Sequence, residues 1–197
     1  MRSQDSCAFV CCHASYDLFK AGGVVNLKGL ALGNSMTDPY IQFHYFAKMV
    51  WGNSYDIKGI SSTMFRTMLL DSKECFMAIK KCEEDQTTCT KARTLCTSVF
   101  FAPYVNAGKD IYDVRKPRCN VLPYCYDFRS ARDFYRRPNV LRALGVKEGS
   151  REWAVCNFGV NADFDGDWMK NYDTKLPPLL EAGVKVLVYA GDADYIW

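Results

Sequence analysis

The sequence predicts an α/β protein in which neighbouring strands of one parallel sheet are separated by a long, mainly helical insertion. Two apolar runs and one cysteine pattern carry that prediction. Val184-Lys185-Val186-Leu187-Val188-Tyr189 stops abruptly at Gly191-Asp192-Ala193-Asp194. A strand buried on both faces reads this way when it delivers carboxylates to the carboxyl edge of a sheet, where open α/β sheets keep their chemistry. Val24 to Asn34 has the same grammar near the other end of the chain and also finishes in a glycine-containing turn. Between the two runs, Cys75, Cys82, Cys89 and Cys96 recur every seven residues, and residues seven apart on a helix share a face.

Composition narrows the partners. With 197 residues and 49% hydrophobic content the chain can bury a core. A formal net charge of +3, without a long block of like charge, gives no basis for binding nucleic acid or an anionic membrane surface. No run approaches the roughly 18 apolar residues of a membrane span. Ten cysteines point to disulfides and hence to an oxidising compartment. With two histidines to recruit, His13 and His44, a zinc site is the poorer account, so neither a metal nor a cofactor is expected.

The elements follow in order. Met1 to Gly23 shows no clear period, and its Cys7, Cys11 and Cys12 are compatible with thiols or intermolecular bridges. Its apolar piece is too short for a secretion signal, which predicts a piece of a longer protein or an aberrant start. After the first strand, Asp38-Pro39 predicts a helix starting at the proline, with Phe43, Phe46 and Val50 on its inner side. Ser62 to Lys81 reads as a helix with Ser62 as its cap, and a second helix starts near Cys89. Two antiparallel helices turning between Cys82 and Cys89 would bring Cys82 to Cys89 and Cys75 to Cys96 as nested rungs. Phe100 to Lys116 reads as loop, and Cys119 and Cys125 enclose a short one. Asp127 to Gly145 is helical with a restart at Pro138, placing Val140, Leu141 and Leu144 inward. Arg129, Arg132, Arg136 and Arg137 form a solvated helix face rather than a phosphate site. Trp153 to Asn157 reads as a short strand, Gly166-Asp167-Trp168-Met169 as a helix start, and Pro177 to Gly183 as a helix with a glycine stop.

Asp194 is the leading chemical candidate. A carboxylate just past a buried parallel strand can orient a histidine, and α/β-hydrolases order their triad Ser, Asp, His along the chain. The plain alternative is that Asp192 and Asp194 cap a turn. Gly33-Asn34-Ser35-Met36-Thr37 nearly spells a nucleophile elbow but lacks the final glycine, so Ser35 is read as a turn serine. His44 precedes Asp194 in the chain, against the usual order, and His13 is weaker still.

Four stretches together resemble one family. They are Asn26 to Asn34 with Thr37-Asp38-Pro39, Ile111-Tyr112-Asp113-Val114-Arg115-Lys116 with Cys119 and Cys125-Tyr126, Gly166 to Met169, and Val188 to Ile196. In this order they resemble the serine carboxypeptidases, acid-active exopeptidases of lysosomes, vacuoles and secretions. The resemblance implies an incomplete α/β-hydrolase sheet with a disulfide-stapled helical cap between core strands. Its divisions are an atypical segment 1–23, a core strand and turn 24–37, a helical insertion 38–150 and a core segment 151–197. It implies that Asp194 is the triad aspartate, and that Met36, Phe43, Phe46, Trp168 and Ile196 wall the pocket for the side chain preceding the scissile bond. It also implies Cys75–Cys96, Cys82–Cys89 and Cys119–Cys125 bridges, with peptide or protein C-termini as substrate.

The sequence departs from the family in what it lacks. No Gly-Glu-Ser-Tyr nucleophile motif or Trp-Asn-Gly-Gly-Pro-Gly oxyanion segment occurs, and no histidine follows Asp194. The family's bonding partner for Cys156 has no counterpart, and the usual Ile-Cys-Asn is replaced by Ile196-Trp197. The chain alone is therefore expected to be inactive. The alternative expectation is a non-catalytic module that binds peptides.

Overall fold

A computed structural model of the chain describes residues 2–22, 25–119, 125–147, 149–150 and 152–196, with side chains described from Cys11 onward. Val24, Trp197 and the loop enclosed by Cys119 and Cys125 lie outside the described residues, as does the side chain of Cys7.

The first correction concerns the N-terminal stretch, where sequence showed no period. It forms a 20-residue helix, α1 (Arg2–Ala21), that packs on β1 (Gly29–Gly33). Cys12 of α1 is buried among Leu30, Leu32, Trp168, Leu179 and Val184, and Cys11 is disulfide-bonded. Burial pushes the Cys12 thiol up to about 11. The weak amphipathic pattern of α1 is the reason sequence periodicity missed it, because tertiary packing rather than local patterning stabilises most helices.

β1 pairs in parallel with β2 (Lys185–Tyr189), Leu30 opposite Val186 and Leu32 opposite Val188. Both runs therefore lie in one sheet, but the expected burial on both faces is overturned. Leu30 and Leu32 point into the core shared with α1 and α9 (Leu176–Glu181), and Val184 and Val186 belong to the same cluster. The opposite face is open: Leu187 is 60% exposed and Tyr189 53%, and Val188, opposite Leu32, is 61% exposed as well. A parallel strand is buried twice only if a layer covers each face. Here the remaining helices pack on one another instead.

Those helices make a second core. α2 (Pro39–Gly52) starts where the proline predicts, with the Asp38 carboxylate accepting the Ile41 N–H at 2.9 Å. Its Phe43, Phe46 and Val50 are buried. α3 (Ser62–Glu84) is capped by Ser61 rather than Ser62, the Ser61 hydroxyl accepting the Met64 N–H. A tight turn at Asp85 reverses the chain into α4 (Cys89–Cys96). Nested bridges Cys75–Cys96 and Cys82–Cys89 tie the pair, with Cα atoms 4.9 and 4.6 Å apart. The loop expected from Phe100 is corrected as far as Asn106. α4 continues through a wide π-helical turn (Thr97–Phe101) into α5 (Ala102–Asn106), and Phe100 and Tyr104 are fully buried.

The rest of the chain is looser. α6 (Arg129–Tyr135) and α7 (Pro138–Ala143) carry the expected solvated arginines, paired as Arg129–Asp127, Arg132–Asp133 and Arg136–Glu152. Val140 and Leu141 are half-buried, but Leu144 is exposed rather than inward because the helix has already ended before the left-handed Gly145. Trp153–Asn157 is not a strand. Asn157 instead caps α8 (Phe158–Asp163) by accepting the Gly159 and Val160 N–H groups. Gly166–Met169 forms successive turns, closed by Asp167 N–H to Phe164 and Lys170 N–H to Asp167 carbonyl bonds, rather than a helix start. α9 stops at Gly183, as predicted, with φ +79°. Among the described residues no helix is long and apolar enough to cross a membrane.

Candidate active site

The site begins where both strands end. β1 ends in Gly33, whose lack of a Cβ leaves room for the Tyr189 ring; a built Cβ would sit 2.3 Å from it. Asn34 follows with φ +48°, a left-handed conformation that asparagine tolerates better than other residues with a Cβ. That conformation aims the Asn34 side-chain amide at Asp194, and its Nδ2 donates to the Asp194 Oδ2. The other carboxylate oxygen, Oδ1, accepts the Ile196 N–H at 3.0 Å. The Asp194 N–H closes a turn onto the Gly191 carbonyl at 3.1 Å.

A second loop holds this turn from the far side. Val114 N–H donates to the Ala193 carbonyl at 2.8 Å, and the Ile111 carbonyl accepts from Tyr195 and Ile196, each at 3.1 Å. The buried Tyr195 hydroxyl donates to the Phe100 carbonyl at 2.6 Å, and burial holds its phenol far above the usual range. The residues either side of Asp194 are thus embedded in the helical core while its carboxylate stays half-buried. Asp192 faces Tyr55, and a hydrogen bond from Tyr55 to Asp192 keeps that phenol above its ordinary value. The Arg115 guanidinium lies 5.5 Å from the Tyr55 ring.

Beside Asp194 opens a cavity of about 260 Å3, between Gln42, Tyr45, Phe46 and Met49 of α2 and Asp192 and Asp194 of the loop. Of the five pocket residues implied by the resemblance, Phe46 lines this cavity. Phe43 stands behind it with ring centroids 4.7 Å apart, and Met36, Phe43 and Ile196 belong to the same core. Trp168 is not brought to them: it packs in the sheet-side core under Arg93, 4.7 Å from its ring.

The other candidates have different work. The Ser35 hydroxyl is buried without a hydrogen-bond partner among the described residues, so no base touches it. Its carbonyl accepts from Gln42, whose own Oε1 takes the Thr37 and Asp38 N–H groups, which is a turn-building role. His44 stacks on Phe76 at 3.7 Å and contacts the Tyr40 carbonyl, and His13 pairs with Asp17 at 3.3 Å. The Cys119–Cys125 bridge is present. Among the described residues no group of three or more His, Cys, Asp or Glu converges to hold a metal ion. Sequence reading missed Asn34 as a functional residue; the signal was an asparagine directly after the glycine that ends a strand.

The geometry is thus a parallel strand pair covered on one face, a carboxylate held just past its carboxyl edge and a cavity beside it. Residues 17–197 match the model of the serine carboxypeptidase family. The chain belongs to that family. It is 35% identical over 177 residues to carboxypeptidase Y homolog A of Talaromyces stipitatus, covering 87% of this chain and 31% of the relative. It is 34% identical over 176 residues to carboxypeptidase Y of Komagataella phaffii, covering 87% and 33%. To carboxypeptidase Y homolog A of Paracoccidioides lutzii it is 36% identical over 177 residues, covering 87% and 32%. The chain spans about a third of the length of the curated relatives it matches. As a serine carboxypeptidase family member it has the α/β-hydrolase type of fold, represented among the described residues by one parallel strand pair and a helix-rich, disulfide-bonded remainder.

Proposed function

We propose that Asp194 is the acid of a Ser-His-Asp triad in a serine-type carboxypeptidase, an enzyme that removes C-terminal residues from peptides and proteins through an acyl-enzyme. In that chemistry serine attacks the carbonyl, histidine takes and returns the proton, and the aspartate fixes the histidine's tautomer and orientation. The observation that carries the reading is the held carboxylate of Asp194. It receives hydrogen bonds from Asn34 and Ile196, as an orienting acid needs to be rigid and ionised.

Met36, Phe43, Phe46, Trp168 and Ile196 are proposed to wall the pocket for the side chain preceding the scissile bond. Phe46, which lines the cavity, supports this most directly. Trp168 enters on its motif position alone. The chain on its own is proposed to be inactive: neither Ser35 nor either histidine is partnered with Asp194, and no Gly-Glu-Ser-Tyr motif occurs. Loss of the nucleophile alone costs orders of magnitude in rate. The bridges Cys75–Cys96, Cys82–Cys89 and Cys119–Cys125 support an oxidising compartment, vacuolar or secreted.

The test is a fluorophosphonate probe on the purified chain, read by intact mass, beside release of a C-terminal amino acid from a blocked dipeptide at mildly acid pH. No adduct and no release is the expected result. An adduct on Ser35 with turnover would replace the triad reading with a different hydrolase.

A further inference from the structure

Asp110 lies on the loop that holds the Asp194 turn, and it is the one acidic side chain among the described residues with no exposure. A carboxylate removed from water is costly unless hydrogen bonds and a counter-charge replace the solvent. Asp110 Oδ1 accepts the Tyr112 N–H at 2.9 Å, and Oδ2 lies 3.6 Å from the Lys116 ammonium. That ammonium also sits 3.5 Å above the Tyr126 ring. Both partners of Asp110 stand on the loop that Asp110 itself opens, so the buried charge folds residues 110–116 back on themselves.

The same loop presents the three backbone bonds that fix the Asp194 segment: Val114 to Ala193, and Tyr195 and Ile196 to Ile111. Ile196 in turn donates its other contact to Asp194, its N–H reaching Oδ1. The chain of contacts therefore runs Asp110, Tyr112 N–H, Ile111 carbonyl, Ile196 N–H, Asp194 carboxylate. Tyr104 closes it from below. It is fully buried, its ring centroid is 4.3 Å from that of Tyr195, and burial together with the nearby Asp110 charge pushes its phenol up to about 12.

We propose that Asp110 is a positioning residue for Asp194, acting through the 111–114 backbone to set the direction of the Asp194 carboxylate. The inference rests on Asp194 being the triad acid, but its test reads geometry without substrate. Amide hydrogen exchange of the whole chain would be followed at Val114, Tyr195 and Ile196, with amides of α3 and α4 as internal reference, together with the 13C resonance of the Asp194 carboxyl carbon. Asp110→Leu should speed exchange at those three amides by about tenfold or more and move the Asp194 resonance. Asp110→Asn keeps an oxygen for the Tyr112 N–H but loses the charge that faces Lys116, and should bring the exchange rates back to within about threefold of the parent.

Unchanged exchange in Asp110→Leu, or an equal rise throughout α3 and α4, would overturn the proposal. If Asp110→Leu does not fold, Lys116→Met reads the same amides from a surface side chain. A rise of about threefold or more confined to them supports the proposal, and no rise overturns it. Labelling of Ser35 by the fluorophosphonate probe would defeat the triad reading while leaving these exchange rates as they stand, so the two failures are distinguishable.

Discussion

The helical layer and the sheet of this chain solve the same problem with unequal success. In α2 to α5 the inward apolar faces cover one another: Phe43 and Phe100 have no exposure, and two disulfides lock α3 to α4, while Leu70 and Met77 on the outer side of α3 stay exposed. In the sheet, β1 buries Leu30 and Leu32 while β2 leaves Leu187 and Val188 mostly in solvent. A pair of amphipathic helices can cover each other locally, whereas a parallel strand needs layers on both faces and neighbours on both edges. Asp194 sits at the junction of the two regions. Its strand belongs to the open one and its flanking residues Ala193, Tyr195 and Ile196 to the closed one.

The sharpest way to break the closed region is at its centre. Phe43→Ala removes a ring packed on Phe46, Phe100 and Phe101 and should cost about 3–5 kcal/mol in denaturant unfolding. A smaller effect on the same region comes from the double variant Cys75→Ser, Cys96→Ser. The bridge closes a sequence separation of 21, and its loss should lower stability by about 3 kcal/mol, read against the parent under oxidising and reducing conditions.

At the junction, Asn34→Gly keeps the left-handed backbone but removes the donor to Asp194. A loss of about 1–2 kcal/mol is expected, with Asn34→Ala costing more because alanine tolerates φ +48° poorly. Equal effects of the two would mean that neither the backbone conformation nor its relief by glycine matters there. The open region should respond least. Leu187→Thr and Val188→Thr on the exposed strand should change stability by no more than about 0.5 kcal/mol and should reduce self-association by light scattering. A loss comparable to Phe43→Ala would show that the face is covered in solution and would dissolve the contrast between the regions.

The local chemistry of this sequence was sufficient for much of the architecture. Asp38-Pro39 started α2 because a fixed proline φ and an acceptor side chain favour one conformation whatever surrounds them. The heptad of cysteines set both rungs of the disulfide ladder because helical periodicity fixes which side chains share a face. The glycine stop at Gly183 was equally legible. Asp194 could be singled out because a β-branched run ending in Gly-Asp-x-Asp is a local pattern.

Other features depended on contacts distant in sequence. The helix α1 has little period of its own and is secured by packing on β1 and α9. Trp153–Asn157 had strand-like residues but gained no strand partner, and Asn157 served as a cap instead. The same absence of covering neighbours left Leu187 and Val188 exposed despite a composition that reads as fully buried. The resemblance groups Trp168 with Phe46, yet Trp168 packs in the other core, because turns at 164–169 direct it beneath Arg93. The hold on Asp194 was the least legible feature of all. Asn34 lies 160 residues away in sequence and Asp110 more than 80, and nothing local ties a buried carboxylate or a left-handed asparagine to that turn. The sequence by itself determined which segments curl, stop and cross-link, since those depend on neighbours a few bonds apart. Only the tertiary structure decided which carboxylate is held and by whom, since that depends on where three distant loops meet.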